Sequence, residues 1–99
     1  MRQVFSVPDA ITPKFALGQI VGTPNALARI RSDEILRALA RHVQADWGTL
    51  DREDWRTNDA ALNGDARLLS AYESTEYIKF WIITEADRSV TTVLLPEDC

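Results

Sequence analysis

The chain has 99 residues, of which 45% are hydrophobic and 26% charged, and its formal net charge is -4. This length favours one domain with one core, and the sequence has neither the ~20-residue apolar run of a membrane-spanning helix nor the apolar region of a signal peptide. The single cysteine, Cys99, has no second cysteine to pair with, which is typical of a cytoplasmic protein.

The chain begins with a segment that shows little regular pattern. Residues 1–14 contain Pro8 and Pro13, and we interpret them as an N-terminal arm that precedes a single α+β domain over residues 15–99. Apolar side chains then alternate over residues 15–23, which predicts a strand.

Two helices are predicted next. Thr23 and Pro24 are typical of a helix start, because a threonine hydroxyl accepts an N–H of the first turn and proline fits the first helical position. A second start follows at Ser32, where two carboxylates come next in the chain. The apolar residues of this second helix recur at helical spacing: Ile35, Leu36, Leu39 and Val43.

A third helix is predicted to begin after Asp51, which is expected to be its N-cap. Leu50 and Trp55 flank this cap at the spacing of a hydrophobic staple, and Gly64 marks the end of the helix. Since most of its faces are polar, we expect this helix to lie on the surface and to contact the core through Trp55 and Leu62.

The last third of the chain is predicted to form a three-stranded meander. Residues 67–73, 77–85 and 89–96 are rich in β-branched and aromatic side chains, and short polar breaks separate them. In the middle strand Ile78, Phe80 and Ile82 share one face. The elements together predict an α+β fold, in which an antiparallel sheet of the N-terminal strand and the C-terminal meander carries two to three helices on one face.

Three segments together resemble a family of small bacterial proteins: LGQIVGTPNAL at 17–27, RHVQADWG at 41–48 and WIITEADRSVTTVLLPED at 81–98. The family occurs on plasmids, prophages and integrative elements, usually under the description plasmid-related protein and sometimes under type I restriction subunit M. A chain of this length has no room for a methylase fold. The resemblance covers residues 16–97. It implies a bacterial mobile-element origin and brings no activity, cofactor or catalytic residue with it.

A catalytic hypothesis depends on His42, the only histidine. Imidazole exchanges protons near neutral pH, and Arg41 and Lys79 are cations that can stabilise charge on a phosphate. Together with hydroxyl residues on the strands, this set is similar to that of metal-independent ribonucleases of the barnase, colicin and RelE type. The alternative is a structural histidine that interacts with the C-terminal carbonyls of its helix. The hydroxyl residues in question are Ser70, Tyr72, Thr84, Thr91 and Thr92.

A binding hypothesis depends on the distribution of charge. Residues 1–45 hold six Arg or Lys against three Asp or Glu, whereas residues 46–99 hold five against twelve. An acidic half disfavours direct nucleic-acid binding and favours docking onto a basic protein. The alternative is a solvated surface that keeps the chain soluble. The candidate partner-binding residues are Asp51, Glu53, Asp54, Asp87 and Arg88.

These observations favour a binding protein over an enzyme. The sequence contains no nucleotide-binding, zinc-protease or hydrolase motif, and we expect no cofactor and no metal. The main hypothesis is a non-enzymatic accessory protein of a mobile element that acts by macromolecular binding, in counter-defence or regulation. The alternative is the metal-independent ribonuclease. A third hypothesis is a homodimer formed through strand edges at residues 77–84 or 89–95.

Overall fold

The computed structural model describes residues 12–64 and 66–99, so most of the predicted arm lies outside the described residues. Within these residues the chain forms an α+β fold with four strands and three helices, which confirms the predicted class. The elements in order are β1 (Gln19–Gly22), α1 (Pro24–Arg29), α2 (Ser32–His42), α3 (Arg52–Ala61), β2 (Leu68–Glu73), β3 (Lys79–Thr84) and β4 (Val90–Leu94), followed by a 3-10 turn at Pro96–Asp98.

The four strands form one mixed sheet in the order β1-β4-β3-β2. β2, β3 and β4 pair antiparallel, as the predicted meander requires. β1 runs parallel to β4, with Gln19 opposite Val90 and Gly22 opposite Val93. The prediction of a purely antiparallel sheet is therefore wrong. Three helices separate β1 from the meander, and such a long crossover lets a strand return in the parallel direction.

This strand order also decides which strand edges are exposed. β3 and β4 lie in the centre of the sheet, and each has a hydrogen-bonded neighbour on both sides. A homodimer through residues 77–84 or 89–95 requires a free edge on β3 or β4. Both edges of these strands are already paired within the chain. The edge strands of the sheet are β1 and β2.

The outer edge of β2 is covered by other parts of the chain. The side-chain amide of Asn58 on α3 donates to the carbonyl of Leu69 and accepts its N–H. The Thr49 N–H donates to the carbonyl of Ala71 at 2.7 Å, and the Ala71 N–H donates to the carbonyl of Trp47 at 3.1 Å. These contacts satisfy backbone groups that an edge strand would otherwise expose.

Side-chain caps fix the starts of α1 and α3, as predicted. The Thr23 hydroxyl accepts the N–H of Ala26 at 3.1 Å, and Pro24 occupies the first turn of α1. The Asp51 carboxylate accepts the N–H of Asp54 at 2.8 Å. Each cap satisfies an N–H for which the helix itself has no partner, and this stabilises a helix start by about 1 kcal/mol.

α2 packs one stripe of side chains into the core. The stripe consists of Ile35, Ala38, Leu39 and His42, which follow the i, i+3, i+4, i+7 spacing of a single helix face. Leu36, which the sequence pattern had assigned to the apolar side, is 37% exposed. The spacing from Ile35 therefore places His42 in the core.

The core lies between the three helices and one face of the sheet. Phe80 and Ile82 of β3 are buried in it, and Ile78 packs against them. This agrees with the face predicted for the middle strand. A second apolar cluster, centred on Trp47, joins α3 to Leu68 of β2.

The opposite face of the sheet carries no helix within the described ranges. Its side chains are those that alternate with the core residues, and Trp81 at its centre lies between Ala71 and Leu94. Most of these side chains are half-buried. We call this surface the open face, and it is made of Val21, Leu69, Ala71, Trp81, Ile83, Thr92 and Leu94.

Candidate functional site

His42, on which the catalytic hypothesis depends, lies in the core. It is the last residue of α2 and is 0% exposed. Phe15 and Trp47 pack edge-on against the imidazole, with ring centroids 5.2 and 5.5 Å from it. Aromatic side chains and the sheet therefore enclose the ring.

Hydroxyl groups from the strands hold both nitrogens of this imidazole. Nδ1 lies 2.5 Å from Oγ of Ser70 on β2, and Nε2 lies 2.9 Å from Oγ1 of Thr84 on β3. Thr84 Oγ1 lies 2.8 Å from Oγ1 of Thr91 on β4, and Thr91 donates to the backbone carbonyl of Leu17 at 2.7 Å. We call this chain of groups the histidine network. It joins α2 to three strands of the sheet.

The carbonyl at the end of the histidine network fixes the direction of the hydrogen bonds between Thr91 and Nε2. A carbonyl oxygen only accepts, so Thr91 uses its proton on Leu17. Thr91 must then accept from Thr84, and Thr84 must accept from the Nε2–H. Nε2 therefore carries a hydrogen, and when the imidazole is neutral its Nδ1 accepts from Ser70.

Burial lowers the pKa of His42 to about 3, because a charged imidazolium loses its hydration in the core, and the positive charge of Arg88 adds to this effect. A general base works best with a pKa near the operating pH and within reach of a substrate. The enclosed, neutral His42 meets neither condition. It is a structural residue, although its partners are strand hydroxyls instead of the helix carbonyls that the sequence suggested.

Lys79 does not join His42. It is the exposed first residue of β3, whereas the Thr84 that contacts His42 is the last. The two strand positions are about 16 Å apart at 3.3 Å per residue. Side chains an odd number of residues apart on a strand also point to opposite faces, so Lys79 and Thr84 lie on different sides of the sheet.

Arg41 lies next to His42 in sequence but contacts a different set of groups. Its guanidinium binds the Asp46 carboxylate at 2.8 and 3.2 Å and lies 4.8 Å from the centre of the Tyr72 ring. The hydrogen bond to Arg41 lowers the pKa of Asp46. Burial raises the pKa of Tyr72, whose hydroxyl donates to the Asp46 carbonyl at 2.6 Å. The structure thus does not gather Arg41, His42 and Lys79 into one cleft.

The predicted acidic contacts lie at the exposed start of α3. Asp51 is its N-cap, and Glu53 and Asp54 belong to its first turn. Carboxylates at this end of a helix are stabilised by its dipole. These three residues therefore have a role in the fold itself, and their side chains remain accessible to a partner.

Asp87 and Arg88 form the turn between β3 and β4, and the structure uses them differently. The Asp87 carboxylate accepts the hydroxyl and the N–H of Ser89 at 2.6 and 3.0 Å, and the hydroxyl contact lowers the pKa of Asp87. Asp87 stays exposed, whereas Arg88 joins the turn to the end of α3. The guanidinium of Arg88 donates to the carbonyls of Ala61, Ala66, Glu85 and Ala86.

The open face is a candidate site that the search for catalytic and charged residues did not single out. Its signal is present in the sequence, because residues 79–84 place apolar side chains on both sides of β3. A central strand of a sheet covered on one side only should alternate between apolar and polar residues. Trp81 and Ile83 break this rule and make the uncovered side apolar.

No family model, no curated protein and no solved structure matches this chain. Over residues 12–64 and 66–99, none of the helices is long and apolar enough to cross a membrane. The same residues contain no group of three or more His, Cys, Asp or Glu side chains placed to hold a metal ion.

Proposed function

We propose that this protein is a non-enzymatic accessory protein of a bacterial mobile element and acts by binding a partner protein, in counter-defence or regulation. The observation that carries the proposal is the open face. Trp81 and Ile83 lie at its centre, half-buried, on the side of the sheet that no described helix covers. Contiguous apolar surface of this kind is typical of interaction sites, and tryptophan often dominates their binding energy.

The dimensions of the open face favour a helix as the bound element. Its four strands span about 14 Å across and about 17 Å along their length. On the other side of the sheet the 11-residue helix α2, about 16 Å long at 1.5 Å per residue, packs on the same strands. A partner helix of about three turns therefore matches the open face in length.

The turns that border the open face favour a basic partner. Glu73, Glu76 and Lys79 lie around the turn between β2 and β3, and Glu85 and Asp87 lie in the turn between β3 and β4. The one arginine of the second turn is directed into the fold by its carbonyl contacts. Among the described residues, these two turns carry four carboxylates against one lysine that none of the ion pairs engages, so the turns attract Lys and Arg side chains. The proposed ligand is a basic amphipathic helix.

The test uses a synthetic 14-residue peptide of Leu and Lys with helical amphipathic spacing, titrated into isotope-labelled protein. We expect saturable NMR shift changes at the Trp81 indole and the Ile83 methyl groups, with a Kd on the order of 10–100 µM. A peptide of the same composition in scrambled order is the control for non-specific attraction. Equal binding of the scrambled peptide would contradict the proposal.

Matched variants locate the binding surface. Ile83→Lys introduces a positive charge into the open face and should weaken peptide binding at least about tenfold. Leu27→Lys makes the same kind of change at an exposed position of α1 and should leave binding unchanged. Shift changes confined to Asp51, Glu53 and Asp54 would move the site to the start of α3 and overturn the open face as the binding surface.

The ribonuclease alternative receives no support from this geometry, because its three residues lie apart and its base is enclosed. Incubation of the purified protein with RNA in the presence of a chelator tests it directly. Cleavage that is lost in a folded Lys79→Ala variant would revive it.

A further inference from the structure

The turn between β2 and β3 holds an unusual residue for its backbone conformation. Tyr77 has a φ of 64°, and its N–H donates to the Ser74 carbonyl at 2.9 Å. A β-turn followed by a left-handed residue is a common hairpin connection, and glycine is the residue that suits the left-handed position. A bulky aromatic side chain there is strained. The Tyr77 side chain is also 82% exposed, so packing does not offset the strain.

The turn between β3 and β4 is an internal comparison. Arg88 occupies the equivalent left-handed position, with a φ of 61°, and its N–H donates to the Glu85 carbonyl at 2.9 Å. The Arg88 side chain stabilises the fold there, because its guanidinium binds four backbone carbonyls. Tyr77 makes no comparable contact with the residues that the structure describes. Backbone strain that no stabilising contact offsets is a reason to look for a function of the residue.

Hydrogen bonds hold the Tyr77 turn in one position. The Glu34 carboxylate on α2 accepts the N–H and the hydroxyl of Thr75 at 2.7 and 3.2 Å. The Ser74 hydroxyl oxygen accepts the N–H groups of Glu76 and Ile78 at 3.2 and 3.1 Å. An exposed aromatic side chain on such a fixed support loses little conformational entropy on binding.

A pocket lies beside this turn. Its volume is about 160 Å³, and its lining includes Glu34, Arg37, Arg41, Tyr72 and Phe80. Cavities of about 150 Å³ accept one benzene ring, so the pocket is large enough for the ring of a tyrosine. Glu34 belongs both to the pocket and to the support of the Tyr77 turn, which makes the two features neighbours on one surface.

We propose that a second copy of this chain occupies the pocket, with Tyr77 of each protomer inserted into the pocket of its partner. Because the turn and the pocket are neighbours, a two-fold axis between them places the Tyr77 of each protomer at the pocket of the other. Two identical contacts of this kind form the self-complementary interface of a symmetric dimer. The ring packs against Tyr72 and Phe80 of the facing pocket. Its hydroxyl accepts from Arg37, whose side chain is 74% exposed and otherwise lies 3.7 Å from Asp33.

Sedimentation equilibrium of the full chain between about 10 µM and 1 mM tests this proposal. Since the contact is small, we expect a Kd in the micromolar to millimolar range. Tyr77→Gly should raise the Kd at least about tenfold while the melting temperature stays the same or rises. Leu27→Ala removes a different exposed side chain, 55% accessible, and should not change the Kd. A monomeric wild type, or an unchanged Kd in Tyr77→Gly, would overturn the proposal.

A mixing experiment tests whether the contact is reciprocal. Tyr77→Gly keeps the pocket and loses the ring, whereas Arg37→Glu keeps the ring and damages the pocket. A mixture of the two variants should associate more tightly than either variant alone, because one intact ring meets one intact pocket. Association no tighter than that of the single variants would contradict the arrangement.

The proposed self-association is independent of the open face, and one variant separates the two proposals. Ile83→Lys should weaken binding of the basic helical peptide and leave the dimer intact. Loss of the dimer in Ile83→Lys, with an unchanged Kd in Tyr77→Gly, would mean that two copies meet through the open face instead.

Discussion

Ser70 Oγ lies 2.5 Å from Nδ1 of His42, and it donates to this nitrogen when the imidazole is neutral. Burial of the ring favours this neutral form, because an imidazolium loses its hydration in the core and its pKa is lowered. The stability of the protein is thereby linked to pH.

Lowering the pH from 7 to 5 should reduce the free energy of unfolding by about 2 kcal/mol. The pKa of His42 is about 3 in the folded protein and about 6.5 in an unfolded chain. Between these values the unfolded chain binds one more proton, so this contribution is complete above about pH 6.5 and is lost as the pH falls toward 3. Urea unfolding followed by tryptophan fluorescence measures it. His42→Gln should flatten the dependence between pH 7 and 5, and a flat wild-type profile would contradict the prediction.

Replacing Thr84 by valine should lower the free energy of unfolding by about 1–3 kcal/mol. The substitution keeps the shape of the side chain but removes the acceptor for His42 Nε2–H and the donor to Thr91. The Nε2–H of His42 then stays buried without an acceptor, whereas Thr91 keeps its bond to the Leu17 carbonyl. Thr92→Val makes the same change on the open face and is expected to be nearly neutral. Equal unfolding midpoints for the two variants would argue against the histidine network.

Gly48→Ala should destabilise the fold by more than about 2 kcal/mol. Gly48 has a φ of 77°, and a Cβ there would lie 1.9 Å from the carbonyl oxygen of Ala71. That approach is needed for the contacts that cover the edge of β2. Gly64→Ala is the control, because its Cβ would meet nothing closer than 3.9 Å. Thermal unfolding of both variants compares them, and an unaffected Gly48→Ala would show that this edge contact is dispensable.

Glycine substitutions at the two hairpin turns should change stability in opposite directions. Tyr77→Gly relieves left-handed strain and should raise the free energy of unfolding by up to about 1 kcal/mol. Arg88→Gly relieves the same strain but loses the contacts to carbonyls on α3 and in the turn, and it should lower stability by about 1–3 kcal/mol. Guanidinium unfolding at neutral pH measures both. A loss of stability in Tyr77→Gly would assign the tyrosine a role in the fold.

The parts of the fold that depend on neighbouring residues could be predicted from the sequence. The caps at Thr23 and Asp51 and the three strands of the meander follow from local spacing, and the structure confirms them. The direction of β1 could not be predicted in this way, because it depends on pairing between Gln19 and Val90 across almost the whole described chain. Periodicity within a window carries no information about such a partner.

The candidate site was only partly predictable for a related reason. The i, i+7 relation between Ile35 and His42 was a signal that the histidine lies in the core, but Leu36 gave an alternative stripe of similar quality. Four residues that the catalytic hypothesis grouped do converge in space, although as a closed hydrogen-bond network: His42, Ser70, Thr84 and Thr91. Which face of the sheet stays uncovered depends on where the helices pack, and that is a tertiary property.

The parallel pairing of β1 with β4 has a consequence for synthesis of the protein. A nascent chain emerges from the ribosome with Gln19–Gly22 and all three helices before any of the strands that receive them. The strand that finally binds β1 is made last among the four, so the sheet closes only after Val90–Leu94 has been made. Folding that waits for such distant pairing is slow compared with that of helical bundles, and meanwhile the apolar sides of the helices are available to chaperones.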